Sequence, residues 1–139
     1  MDDTKINADQ MIQLLLDVCP SFEAAWRDHL NEYCDEPEPL YYFALGDFAR
    51  HLIELLKSGK TEAFPPIFEI VEQLHVNGDA YVAEAATIGL LESIQNICQG
   101  QEIDPDVFKP FLGLVSKAYW KRLNRFWDGI ASSVVPVDD

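Results

Sequence analysis

The sequence predicts an all-α fold of six to seven helices packed in antiparallel pairs. Apolar residues recur at three- and four-residue spacing along most of the chain, and alternating strand-like runs are almost absent. Two stretches also look alike at a fixed distance: Gly46 and Gly89 are 43 residues apart, and Phe64 and Phe108 are 44 residues apart. Because HEAT and armadillo repeats have periods of about 40–47 residues, these observations together predict a HEAT-like solenoid stack.

The first three helices each have a boundary signal. The first is predicted to begin after Asn7, which is a good N-cap residue, and to end just before Pro20. Pro20 then opens the second helix, which ends at the loop 35–39, where two prolines and three acidic residues favour exposed, extended backbone. The third helix is predicted over 40–58, and Gly59 terminates it.

The remaining helices are bounded in the same way. Thr61 is predicted to cap a helix over 61–77, and Asp79 to cap the next helix, over 79–99. A short helix with an Asp-Pro start follows, and Ser116 is predicted to cap the last helix. Because the connections are short, we expect each of the three central helices to pack antiparallel to the next.

A single helical domain is predicted over 1–139, with its core at about 7–129 and frayed ends. A chain of 139 residues has the usual size of one domain, and 48% of its residues are hydrophobic, which is enough for a packed core. The inward faces of the three central helices should supply much of that core. The residues expected to be buried there are Phe48, Leu52, Phe68, Val71, Leu91 and Ile94.

The charge of the chain is strongly negative. It has 24 Asp and Glu against 10 Lys and Arg, a formal net charge of −14. Such a field repels phosphate backbones and anionic lipids, so neither nucleic acids nor membranes are expected as direct partners. A short basic strip on the last helix is more typical of an intramolecular contact with an acidic helix than of a nucleic-acid site.

The distribution of the acidic residues predicts a basic protein partner. Between Lys60 and Lys109 there is no Lys or Arg, and the same interval holds nine acidic residues. An uncompensated acidic surface costs stability through self-repulsion, which favours a binding role over general acidity, the alternative explanation. The residues predicted to bind the partner are Asp35, Glu36 and Glu38 on the proline-containing loop, and Glu69, Glu84 and Glu102 on the central helices.

Catalytic and metal-binding patterns are not found in the sequence. The three histidines, His29, His51 and His75, fall in different predicted helices, and the chain contains no HExxH motif, no CxxC motif and no glycine-rich phosphate loop. We therefore expect no enzyme activity, no cofactor and no metal. The pair Glu69 and Glu72 is interpreted as a solvated acidic face. A small hydrolase would require a histidine and a carboxylate to meet in a pocket.

No targeting segment is evident in the sequence. The chain begins with Met1, Asp2 and Asp3, where a signal peptide would carry basic residues, and no apolar run reaches the roughly 18 residues that span a bilayer. These features predict a cytoplasmic protein.

Several segments resemble a family of small acidic bacterial proteins that occur as candidate immunity proteins beside polymorphic toxins. The resemblance extends from about residue 19 to residue 129. It implies a cytoplasmic antidote that binds and blocks a toxin domain, often a basic nuclease; an acidic helical adaptor that binds a basic host protein without inhibiting an enzyme is the alternative. The segments that carry the resemblance are Cys19-Pro20-Ser21-Phe22 with Trp26 and His29, Leu45-Gly46-Asp47-Phe48-Ala49 with His51-Leu52, Phe64 and Ile67-Phe68 with Glu72, Gly78-Asp79, Ala86-Thr87-Ile88-Gly89-Leu90-Leu91-Glu92, Phe111-Leu112-Gly113, and Trp120 with Trp127.

Overall fold

Seven α-helices and three short 3₁₀ segments form the part of the chain that the structure, a computed structural model, describes: residues 4–127. Within it the only β feature is an isolated bridge between Ile6 and Gly78, so the all-α class is confirmed. Much of the fraying predicted for the two ends falls in 1–3 and 128–139, outside the described residues. The elements are α1 (Ala8–Val18), a 3₁₀ turn (Pro20–Phe22), α2 (Glu23–Glu32), α3 (Tyr41–Lys57), a second 3₁₀ turn (Thr61–Ala63), α4 (Phe64–Asn77), α5 (Ala80–Glu84), α6 (Glu92–Gly100), a third 3₁₀ segment (Pro105–Phe111) and α7 (Leu114–Trp127).

Three of the predicted helix boundaries are confirmed. Asn7 Oδ1 accepts the N–H of Gln10 and Gln10 Oε1 accepts the N–H of Asn7, each at 2.9 Å, which forms a capping box at the start of α1. Asp79 Oδ1 accepts the N–H of Val82 at 2.8 Å and caps α5. Gly59 follows α3 with a φ of +72°, a left-handed conformation that glycine adopts without strain.

Two predicted caps are wrong. Thr61 lies in a 3₁₀ turn and makes no side-chain cap, because α4 begins only at Phe64. Ser116 lies inside the first turn of α7, which begins at Leu114, and its N–H donates to the carboxylate of Glu72 at 2.9 Å. The cap of α7 is therefore a side chain from α4, which no local sequence pattern can reveal.

The predicted helix over 79–99 contains a π-helical segment. α5 and α6 are the two ends of one continuous helix, 80–100, called the long helix below, and Ala85–Leu91 between them is π-helical. Gly89 lies in this segment, where a Cβ atom would come within 2.9 Å of Leu45 Cδ1. Glycine therefore permits the close approach of α3 to the middle of the long helix.

α3 packs parallel to the long helix. At one end the Tyr42 hydroxyl donates to Glu84 at 2.9 Å, and at the other end Lys57 Nζ donates to Gln101 at 3.2 Å. The long helix is the main neighbour of α3, which makes far fewer close backbone contacts with α4. The expected antiparallel packing of each central helix against the next and the HEAT-like stack both stay predictions.

The residues predicted to form the core are buried. Phe48, Leu52, Phe68, Val71, Leu91 and Ile94 are all fully buried, which confirms the inward faces of the three central helices. Four phenylalanines from the two similar stretches also contact one another, with ring centroids between 5.3 and 6.2 Å apart: Phe64, Phe68, Phe108 and Phe111.

Within residues 4–127, no helix combines the length and the apolar content that crossing a membrane requires.

Candidate functional site

Three tyrosines meet where α3 and the long helix begin. Tyr41 and Tyr42 lie in the first turn of α3, and Tyr81 lies in the first turn of the long helix. The ring centroid of Tyr81 is 6.3 Å from that of Tyr41 and 5.7 Å from that of Tyr42, both with edge-on geometry. Tyr41 is buried and donates its hydroxyl hydrogen to Asp9, whereas Tyr81 is 46% exposed. The parallel packing of the two helices brings these turns side by side.

Two carboxylates lie beside the exposed ring. Glu84 accepts the hydroxyl hydrogen of Tyr42 at 2.9 Å. Burial is the main cause that raises the pKa of Tyr81, and the negative charges of Glu38 and Glu84 raise this pKa further. Both acidic residues are therefore near the phenol. We call Glu38, Tyr41, Tyr42, Tyr81 and Glu84 the tyrosine–acid patch.

The six acidic residues predicted to bind a partner are all exposed, but they do not form one surface. Glu38 and Glu84 share the tyrosine–acid patch. Glu102 follows the opposite end of the long helix, more than about 20 Å from Glu84 at 1.5 Å per helical residue. Glu69 lies on α4, outside the patch. The six positions thus comprise the loop residues Asp35, Glu36 and Glu38, the patch residue Glu84, and Glu69 and Glu102 elsewhere.

A polar groove runs between α2 and α3. Each helix lines it with residues at positions i, i+3, i+4 and i+7, the spacing at which packed helices usually present apolar side chains. The groove has a volume of about 400 Å³, within the range of small-molecule sites. We call it the α2–α3 groove, and its lining is Ala25, Asp28, His29 and Glu32 from α2 with Asp47, Arg50, His51 and Glu54 from α3.

His29 is the most buried side chain of the polar lining. It is 2% exposed, with its ring stacked on Trp26 at 5.5 Å and packed against Tyr33 at 4.9 Å. Neither of its ring nitrogens has a hydrogen-bond partner. A buried polar group without a partner costs about 1–3 kcal/mol. Packing alone therefore does not account for a histidine at this position.

The second histidine of the groove has a partner. His51 Nε2 is 2.7 Å from Ser21 Oγ, and burial lowers the pKa of His51, which keeps the ring neutral at pH 7. The structure thus brings histidines and carboxylates into one groove, as a hydrolase would require. Among the described residues, however, no group of three His, Cys, Asp or Glu side chains converges as metal ligands.

The charge of the groove is negative. Its lining holds four carboxylates against one guanidinium. Arg50 pairs with Asp47 at 2.5 Å, and Glu54 lies 3.6 Å from a lysine on the next turn. Asp28 and Glu32 are exposed and supply the remaining negative charge.

A buried polar network joins α4, the π segment and α7. His75 Nδ1 is 2.9 Å from Ser116 Oγ, its Nε2 is 3.0 Å from Thr87 Oγ1, and Tyr119 stacks on its ring. Burial lowers the pKa of His75 to about 4. Because the ring is neutral and both its nitrogens have partners, we assign this histidine a structural role.

Glu72 belongs to the same network. It accepts the N–H groups of Val115 and Ser116, each at 2.9 Å, and the hydroxyl hydrogen of Ser116 at 2.8 Å. Burial raises the pKa of Glu72, but these hydrogen bonds outweigh it and hold the pKa below its usual value. The expected solvated face of Glu69 and Glu72 is therefore wrong for Glu72, which caps α7.

A protein-family model matches residues 12–128, a range that includes the α2–α3 groove and the tyrosine–acid patch. The chain belongs to DUF7674, a family described as a domain of unknown function. No curated protein and no solved structure matches the chain significantly. Membership of DUF7674 assigns no activity, so a function for this domain has to be argued from its two sites.

The sequence of this DUF7674 domain contains one signal for the groove. Histidine and glutamate recur three apart in both α2 and α3, as His29 with Glu32 and His51 with Glu54. Such a polar stripe on two neighbouring helices predicts a polar seam if the helices face each other. The facing itself depends on tertiary packing, so sequence reasoning interpreted each histidine separately and missed the groove.

Proposed function

We propose that this DUF7674 protein is an immunity protein that binds and neutralises a basic toxin domain, such as a nuclease, through the tyrosine–acid patch. The observation that supports binding at this place is the half-exposed ring of Tyr81 beside the carboxylates of Glu38 and Glu84. An arginine or lysine of the partner gains both an ion pair with a carboxylate and a cation–π contact with an aromatic face there.

The charge of the whole chain supports the same proposal. A net charge of −14 attracts a basic protein from a distance and speeds its association, which an inhibitor needs because it must bind before its target acts. A nuclease cleft is built for phosphate, so an acidic surface is complementary to it. The resemblance to immunity-type proteins favours a toxin domain as the partner and the cytoplasm as the compartment.

The adaptor function is the second candidate. The tyrosine–acid patch serves equally well to bind a basic host protein without blocking an active site. Only the effect on the partner's activity separates the two functions, so that effect has to be measured directly.

The test uses the partner recovered by a pull-down from the source cells and two matched double variants. Glu38→Gln/Glu84→Gln removes two negative charges from the patch. Glu69→Gln/Glu102→Gln removes two at predicted partner-binding positions outside the patch, which the present proposal no longer places in the interface. In surface plasmon resonance, we expect the patch variant to lose roughly tenfold or more in affinity and the control variant less than about twofold. Equal losses would show that the patch is not the interface.

The activity of the recovered partner then decides between inhibitor and adaptor. If the protein is an immunity protein, one equivalent abolishes the partner's activity, for example cleavage of DNA or RNA, and the patch variant inhibits less at equal concentration. Full activity of the partner in the saturated complex would instead establish the adaptor function.

A further inference from the structure

The α2–α3 groove differs from an ordinary helix–helix contact because its facing stripes are polar. Seven of its eight lining residues are charged or are histidines, at positions where apolar side chains normally bury surface. Polar residues at such positions weaken the packing of two helices. Their presence therefore calls for an explanation other than stability.

His29 indicates that the groove is built around a hydrogen-bonding ligand. It is buried, its ring is held between Trp26 and Tyr33, and both of its nitrogens are without partners. Asp28 and Glu32 line the same groove and are exposed, and we call them the rim carboxylates. The groove thus combines exposed negative charge with a buried histidine that has no hydrogen-bond partner.

We propose that the α2–α3 groove binds an organic cation with several N–H donors, a guanidinium or alkylammonium group. The rim carboxylates match the positive charge and accept N–H donors, and a ring nitrogen of His29 accepts a further one. An anion is repelled by the exposed negative charges of Asp28 and Glu32. A metal ion lacks three converging ligands among the described residues, and His51 Nε2 is already occupied by Ser21.

The groove is separate from the tyrosine–acid patch, because none of the five patch residues lines it. The inference does not rest on the proposed immunity function. The cation is either a free small molecule or a side chain of a polypeptide, and both sources share the guanidinium or ammonium chemistry that the groove recognises.

The probes are blocked amino acids that differ in one group. N-acetyl-argininamide carries a guanidinium, and N-acetyl-citrullinamide carries a neutral urea of the same shape. Two-dimensional NMR of the histidine rings follows their binding to the full chain. We expect the arginine probe to shift the resonances of His29 in a saturable way and the citrulline probe to bind at least about tenfold more weakly, because only the former carries a charge.

Matched charge variants localise the binding. Asp28→Asn/Glu32→Gln removes two rim charges, whereas Glu62→Gln/Glu69→Gln removes two exposed charges outside the groove. We expect the rim variant to weaken binding of the arginine probe roughly three- to tenfold per charge and the control variant to leave it unchanged. All four positions are exposed, so both variants should fold.

Three results would overturn the proposal: equal binding of the arginine and citrulline probes, equal effects of the two double variants, or a shift of His29 by Zn²⁺ at concentrations where the arginine probe produces none. The source of the cation is identified by comparing the affinities of two further probes. Agmatine is a free guanidinium amine, and N-acetyl-Gly-Arg-Gly-amide carries the guanidinium on a peptide. Tighter binding of agmatine than of the peptide identifies a small molecule, and the reverse order identifies a polypeptide side chain; both support the cation site.

Discussion

Gly113 lies against the carboxyl group of Glu72 at the start of α7. A Cβ atom on Gly113 would lie 2.5 Å from Glu72 Cδ, closer than side chains tolerate. The carboxylate is pinned there by the N–H groups of Val115 and Ser116 and therefore has little freedom to move away. The absence of a side chain at Gly113 thus permits Glu72 of α4 to cap α7, a helix that is distant in sequence.

Gly113→Ala is therefore expected to destabilise the protein by about 1–3 kcal/mol, the cost of disturbing a charged hydrogen-bond acceptor in a half-buried site. Gly46→Ala is the matched control. A Cβ atom at Gly46 meets nothing within 4 Å, and the residue lies inside α3, so alanine should stabilise the protein by roughly 0.5–1 kcal/mol. Urea unfolding measures both values. Similar effects of the two substitutions would contradict the role given to Gly113.

His75 makes the stability depend on pH. Its pKa is about 4 in the folded chain, against about 6.5 when unfolded, so the unfolded chain binds a proton more readily. The contribution of His75 to the free energy of unfolding is fully present above pH 6.5 and is lost as the pH falls towards 4. Between pH 7 and pH 5 we expect a loss of about 2 kcal/mol from this residue.

The control for this pH dependence is His75→Gln, which keeps a hydrogen-bonding side chain but cannot take up the proton. His51, whose pKa is also lowered by burial, contributes in the same direction in both proteins and cancels in the comparison. Chemical unfolding at pH 7 and pH 5 should therefore show a smaller loss for the variant. Identical pH profiles would mean that His75 is not neutral in the folded state.

Some helix boundaries are determined by residues close in sequence, and others by residues distant in sequence. Asn7, Asp79 and Gly59 act on residues close to them in sequence, so their boundaries follow from residue type. The start of α7 depends on Glu72, which is 43 residues before Val115. The spacing of apolar residues along the sequence does not indicate that contact. The π segment is equally hidden, because its apolar residues continue the same helical pattern.

In the candidate sites, too, some features follow from residue type and others from tertiary packing. Exposure of the six predicted acidic residues was foreseeable, since charged residues on loops and on polar helix faces meet water. Which of them lie near Tyr81 was not, because the neighbours of Tyr81 depend on the parallel packing of α3 and the long helix. The α2–α3 groove was missed for a similar reason.

Burial on the central helices gives a prediction at the scale of the element. Phe68 on α4 is fully buried, whereas Phe43 on α3 is 58% exposed. Phe68→Ala should cost about 3–5 kcal/mol through lost burial and a residual cavity, and Phe43→Ala roughly 0.5 kcal/mol or less. Thermal unfolding of both variants tests the inner face of α4. A Phe68→Ala protein that melts with the parent would show that this face is not in the core.

The net charge of −14 acts on the molecule as a whole. Like charges repel in the compact chain, and salt screens this repulsion within about 8 Å at physiological ionic strength. Raising NaCl from 10 to 200 mM should therefore raise the melting temperature by a few degrees, corresponding to about 1 kcal/mol. Calorimetry at the two salt concentrations measures this change in melting temperature. A lower melting temperature in salt would mean that attractive ion pairs dominate the surface.

Salt is expected to act in the opposite direction on partner binding. Association driven by complementary charge slows as salt screens the attraction, with little change in dissociation. Surface plasmon resonance of the recovered partner at several salt concentrations separates the two rates. Association that is insensitive to salt would contradict a role for the acidic surface in recognition.

The parallel packing of α3 and the long helix has an electrostatic consequence. The N-terminal turns of both helices and of α1 meet near the three tyrosines, since Tyr41 also contacts Asp9 in the first turn of α1. Each helix start carries a partial positive charge from its backbone dipole, and a nearby carboxylate gains about 0.3–1 kcal/mol from it. The backbone itself thus helps to hold a concentration of negative side chains at this end. A lysine placed here would face the positive ends of three helix dipoles. Charge-reversal variants would therefore lose folding stability together with affinity, which isosteric amides avoid.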